Sequence, residues 1–317
     1  MLLDDGSDLS RKDLCVDPHK KIQDQQRREQ PQPEWRKTGS VSNDALLNAR
    51  LQAHIAAHVA GGPAKILAEP EADYGHVALT WYADSERGML ATQILNGGFA
   101  TALQISSMSI MIVGDSDRSY LDLEGLTLSD AQAWVHEQVE TTSGRMPAAP
   151  IPAPKEWPQH PIATGAPFDR SDSEAFFELE RHFNNAAAAL GPIAERENHA
   201  GPVRTWPHHF DTATLVSLDP DKDPEVARSI NFGFSPGDEQ IPEPYWYVVP
   251  YPDPKRSELP ALPGEAYWIT EGYTGALLKA STYRTVETPE SQLDGVATFL
   301  NRAHTACREL LEEDSPR

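Results

Sequence analysis

The stretch Trp206-Pro207-His208-His209-Phe210-Asp211 sets two imidazoles between an indole and a phenyl ring, with a carboxylate directly after them. In an extended segment successive side chains point to opposite faces, so His208 and Phe210 would share one side and His209 and Asp211 the other. A carboxylate placed in this way fixes the tautomer of its imidazole, a support that a general base and a metal ligand both need. The competing reading is a turn in which histidine and aspartate only satisfy one another.

Two further groups extend the chemistry. Ser235-Pro236-Gly237-Asp238-Glu239, followed by Glu243-Pro244-Tyr245, has the composition of a tight turn, since proline presets φ at the second position and glycine permits φ > 0 at the third. That turn leaves Asp238, Glu239 and Glu243 as a knot of carboxylates, which would form a zinc or hard-metal site if histidines converged on it. Facing water, they would only add charge. His54 and His58 stand at i, i+4 on a helix, a spacing that presents both imidazoles on one face. Helical phase puts them in the apolar stripe of Leu47, Leu51 and Ile55, where a histidine must find a metal, a backbone group or a carboxylate. The catalytic candidates are thus His208, His209, Asp211 and Glu239. The metal candidates are His54, His58, His209 and Glu243, and the cofactor they would hold is a divalent metal ion.

Other ionisable residues read as structural. His76 follows Asp73-Tyr74-Gly75 and suits a turn, Glu178 and His182 suit a solvated i, i+4 pair, and Cys307 with His304 suits the buried face of a last helix.

Apolar periodicity supplies the frame that must position these groups. Helices are expected over 43–60, 128–139, 173–190 and 290–312, with Gly61-Gly62-Pro63 and Gly191-Pro192 as stops. Strand-like runs cover 77–81, 90–95 and 103–113, with Asn96-Gly97-Gly98 as a hairpin turn. Residues 1–41 read as a disordered tail, because the stretch 20–33 offers almost no apolar surface to offset the entropy of ordering it. An N-terminal α+β half spans 42–146, and a connector with seven prolines spans 147–167. A C-terminal α+β half spans 168–317. The fold class is α+β, mainly antiparallel sheet with helices packed on one face.

Of the chain's 7 Trp, 9 Tyr and 9 Phe, eleven fall between 206 and 273. Such enrichment means a second core or an aromatic-walled pocket. Trp206, Tyr245, Trp246 and Tyr247 are the substrate-binding candidates.

The motifs Trp206 to Asp211, Gly233 to Glu239 and Pro244 to Pro252 together resemble a bacterial family of uncharacterised proteins, classed as a domain of unknown function. The likeness covers about residues 200–280. It implies one integrated fold and transfers no mechanism.

Composition narrows the field. With 27 Lys and Arg against 48 Asp and Glu, the net charge is −21 over 317 residues, which repels phosphate backbones and anionic lipid. Neither nucleic acid nor membrane is therefore an expected partner. Cys15 and Cys307 cannot build a disulfide framework. The absence of a long apolar run or greasy N-terminal segment suggests a soluble, cytoplasmic protein. G-x-G-x-x-G and phosphate-loop signatures are missing from the sequence. The expectation is a small-molecule pocket running metal-assisted hydrolysis or acid–base chemistry. The alternative is a binding protein without turnover.

Overall fold

Two antiparallel sheets meet edge to edge in the computed structural model, which describes residues 32–71, 73–83, 87–114, 118–143, 154–155, 157–223, 226–255 and 258–313. The first sheet is a meander of β1 (Thr80–Ala83), β2 (Gly88–Ala91), β3 (Phe99–Gln104), β4 (Ser109–Gly114) and β5 (Arg118–Asp122). The run 103–113, which reads as one strand, is the end of β3 and most of β4 joined by a turn. Its interrupting serines mark the reversal, where Met108 takes φ 45° and Gln104 pairs with Ser109. Asn96-Gly97-Gly98 does form a turn, with both glycines at positive φ.

The second sheet holds β6 (Arg204–Trp206), β7 (Asp211–Ser217), β8 (Ser229–Ser235), β9 (Tyr245–Tyr251), β10 (Tyr267–Ile269) and β11 (Gly275–Lys279), in the order β10-β11-β9-β8-β7-β6. Leu79, just before β1, and Thr205 in β6 exchange two backbone hydrogen bonds of 2.7 Å each. The seam satisfies two edges that would otherwise present unpaired donors and acceptors.

Helices α1 (Asn43–Gly61), α2 (Ala64–Leu67), α3 (Leu128–Ser143), α4 (Ser173–Arg196) and α5 (Pro289–Glu313), with short 3-10 turns at Gly75–Val77, Pro161–Thr164 and Ala280–Thr282, complete the described elements. The Ser42 hydroxyl caps α1 by accepting from Ala45 N, and Thr127 and Asp130 cap the start of α3 reciprocally. Helix α4 does not stop at Gly191-Pro192. It runs on to Arg196 because burial of Ile193 in the core offsets the one backbone donor that proline lacks.

That long helix unites the halves. Phe176, Leu179 and Phe183 pack into a core with α1, α3 and the first sheet, whereas Ala186, Leu190 and Ile193 pack into a second core between the second sheet and α5. Each large side chain so buried contributes about 1.5–3 kcal/mol. Pro33–Arg317 accordingly forms one unit, α+β with antiparallel sheets. In the second sheet, helices cover one face only. The other carries a small cluster of Ala213, Tyr245, Tyr247 and Leu277.

Residues 33–41, expected within the tail, instead run along α4 and α5. Asn185 brackets Arg36 with bonds of 2.7 and 2.6 Å to its backbone, Gln292 brackets Thr38, and Trp35 stacks on Trp246 at 6.0 Å. Glu178 is therefore not solvated. Fully buried, it accepts from Gly39 N, Ser40 Oγ (2.9 Å) and Arg181 (2.8 Å). Residues 1–31 of the tail expected over 1–41 lie outside the described residues, as do 147–153 and 156 of the connector. The connector's described end and the residues just after it close over α1, where His160 meets Asn48 at 3.0 Å and Gln52 exchanges bonds with Asp169.

Candidate functional site

The motif around His208 is a hairpin loop and not an extended strand. Trp206 faces Asp211 across the β6–β7 ladder, and His209 N and Phe210 N both donate to Trp206 O, at 3.2 and 2.7 Å. Phe210 closes the loop at φ 57°. Strand alternation therefore does not operate, and Asp211 is not delivered to His209. His208 and His209 are exposed, with ring centroids 4.4 Å apart. Phe210 turns inward, 1% exposed, and lies flat on His54 at 5.1 Å and 6°.

Helix α1 supplies the opposing wall. Arg50, His54 and His58 stand at i, i+4 and i+8, hence on one line along its surface. His54 Nε2 is 2.7 Å from Pro207 O, and a carbonyl only accepts, so Nε2 carries the proton. Burial, helped by nearby Arg50 and the loop histidines, lowers the His54 pKa to about 4, leaving Nδ1 as an acceptor at neutral pH. His58 stacks on His54 at 5.1 Å and meets the edge of Trp157 at 5.6 Å. Burial first, then the charge of His54 and Lys65, brings its pKa to about 3. Its Nδ1 is buried and has no hydrogen-bond partner among the described residues. Trp157 also lines a cavity of about 480 Å³ together with His160.

His208 belongs to the same environment. Desolvation lowers its pKa, His209 and Lys65 lower it further, and Asp211 opposes them. The Arg50 guanidinium, mostly buried, lies 3.5 Å from Asp238 O through Nη1.

The remaining candidates separate from the histidines. Asp211 accepts from the Tyr247 hydroxyl. Asp238 caps its own loop through Gln240 N and Ile241 N, both 2.7 Å, and accepts from Tyr245 at 2.5 Å. Glu239 is exposed, and Glu243 accepts from Ser281 N at 2.9 Å. Trp246 faces the helices, wholly buried, and donates to Tyr283 at 3.0 Å. Tyr245 and Tyr247 face the opposite side of the sheet with half-buried Trp206, as alternation along β9 requires. A single pocket walled by Trp206, Tyr245, Trp246 and Tyr247 is thus not formed. Nor, among the described residues, do three His, Cys, Asp or Glu side chains gather so as to hold a metal ion. The set His54, His58, His209 and Glu243 is split because Glu243 serves the β11 end.

The chain's place among known proteins follows from one match. The model of a family of unknown function, DUF5996, matches residues 53–316. The chain belongs to that family. No curated protein and no solved structure matches it. The DUF5996 match takes in all four histidines but begins three residues after Arg50. Arg50 itself went unnoticed in the sequence, although its spacing to His54 and His58 carried the signal. Trp157 gave no local sign, since only the fold brings it to His58. No described helix is long and apolar enough to cross a membrane.

Proposed function

We propose that the imidazole cluster of His54, His58, His208 and His209 handles protons for a small molecule, which meets the protein at the exposed β6–β7 loop. The carrying observation is the convergence of two histidine pairs about 150 residues apart, with His58 Nδ1 buried and unpartnered. In this reading His208, lowered in pKa but exposed, is the general base. His54 positions the loop by holding Pro207 O, and neutral His58 offers Nδ1 to the ligand. Solvent-facing His209 stands beside His208, with the ring centroids 4.4 Å apart.

A second reading is a binding protein without turnover. It is favoured by Asp211, which is held by Tyr247, so that among the described residues no carboxylate is hydrogen-bonded to His208 or His209.

Histidine-selective NMR during a screen of small acids, amides and esters distinguishes them. The catalytic reading requires a compound that perturbs the His58 and His208 resonances and is converted, with conversion lost in His208→Gln. Perturbation without conversion selects the binding reading, and a screen leaving all four resonances unmoved rejects both.

A further inference from the structure

A second basic site, unconnected with the histidines in its residues, lies where the start of α4 meets the β3–β4 turn. A cavity of about 440 Å³ there is lined by Arg87, Ser106, Ser107, Arg170, Ser173 and Phe177. Two arginines and three hydroxyls share this lining, with no carboxylate among its described residues, on a chain whose net charge is −21. Ser173 is the first residue of a 24-residue helix, so the cavity faces the positive end of its dipole.

The observation that points to a ligand is Ser106. Its residue is 3% exposed, yet its Oγ has no hydrogen-bond partner among the described residues. Leaving a buried hydroxyl unpaired is costly, and a ligand oxygen would remove that cost. Its backbone N is already committed to Glu180 Oε2 at 3.0 Å, and Gly88 N donates to the other carboxylate oxygen at 3.2 Å. Both Glu180 carboxylate oxygens are thus hydrogen-bonded from the protein side.

Arg170 is held in position. Its guanidinium donates to Ser107 O and lies 3.3 Å from Asp122 Oδ2, while its own N donates to Glu124 at 2.6 Å. Asp172, the helix cap, turns its carboxylate to Ala175 N. Phe177, one turn beyond Ser173 on the same face, is 36% exposed and gives the cavity an apolar wall.

We propose that this cavity binds a small organic oxyanion, with its head on Arg87, Arg170 and the Ser106 hydroxyl and its apolar part on Phe177. Phosphate and carboxylate heads share this chemistry. Calorimetric titration of the full chain with phenyl phosphate, benzoate, inorganic phosphate and benzyl alcohol tests it. Saturable binding of phenyl phosphate or benzoate is expected, weaker binding of inorganic phosphate and none of benzyl alcohol. Whichever aryl anion binds better identifies the head group.

Arg87→Met, at an exposed position, should weaken that binding about tenfold, and Ser106→Ala about fivefold, as charge-assisted contacts are lost. His208→Gln should leave it unchanged, which separates this site from the imidazole cluster. The proposal fails if neither aryl anion saturates at millimolar concentration, if benzyl alcohol binds equally, or if Ser106→Ala leaves affinity intact.

Discussion

The Tyr247 hydroxyl reaches over β8 to donate to Asp211, so the carboxylate beside the histidine loop is turned onto the open face of the sheet. Burial first, and then the Asp211 charge, pushes the Tyr247 pKa well above its ordinary value, so the phenol remains a donor throughout the working pH range. Tyr247→Phe should therefore cost about 1–3 kcal/mol, since it leaves a half-buried carboxylate short of a partner. Asp211→Asn retains an acceptor and should cost less. In the same variant the His208 pKa should fall, because the Asp211 charge is among the influences raising it. Urea unfolding and imidazole NMR titration measure both effects, and equal costs for the two variants would contradict the pairing.

His54 and His58 tie acid stability to the cluster. Their folded pKa values, about 4 and about 3, lie below the ordinary 6.5. Between those values and pH 6.5 the unfolded chain binds protons that the native chain does not, so stability rises with pH across the window and is lost on acidification. Above pH 6.5 the contribution is flat. Each histidine adds a slope of up to about 1.4 kcal/mol per pH unit, and His182, at about 4 by burial, adds in the same direction. His58→Gln should flatten the unfolding free energy between pH 4 and 6 by about one histidine's worth. An unchanged slope would mean that His58 is protonated in the native state.

Glu178 latches the segment before α1. Burial acts to raise its pKa, but the Gly39 N–H, His182, Ser40 and Arg181 together hold it below the usual range. Glu178→Gln keeps the shape and gives up the charge, at an expected cost of about 1–3 kcal/mol. The segment should loosen before the domain unfolds, so trypsin should cut at Arg36 or Lys37 sooner than in the parent protein. Uniformly faster cleavage elsewhere would show a global effect instead.

What the sequence disclosed and what it hid divide along physical lines. The four long helices are legible because apolar spacing and caps such as Ser42 are local, and α1 ends within one residue of its glycine stop. The run 103–113 misleads because β3 and the start of β4 are both buried. A continuous apolar run cannot display a reversal there, and only Ser106, Ser107 and Ser109 betray it. Buried Glu178 was hidden because its partners, Gly39 and Ser40, sit some 140 residues away. Within the candidate site, the i, i+4 pair of His54 and His58 was readable and His208 with His209 was noticed. Their meeting was not, since it depends on Pro207 O docking on α1. Strand alternation would set Asp211 beside His209, but the loop takes a positive φ at Phe210, which breaks that alternation.

Gly233 gives the sharpest test of the sheet's open face. It lies between Ala213 and Tyr247 in register, and a Cβ there would stand 2.0 Å from Tyr247 Cζ and 2.2 Å from its hydroxyl. The absent side chain is what lets the ring cross β8 to Asp211. Gly233→Ala must push the ring away, combining overpacking with loss of the hydrogen bond, for an expected cost of about 2–4 kcal/mol. Tyr247→Ala removes the obstacle, so adding Gly233→Ala to it should cost nearly nothing, or even stabilise, because alanine restricts the unfolded chain more than glycine. A double-mutant cycle in urea therefore predicts a coupling of about 2 kcal/mol or more. Additive effects would place the strain of Gly233→Ala in the β8 backbone and not in the ring, and would remove the reason for a glycine under Tyr247.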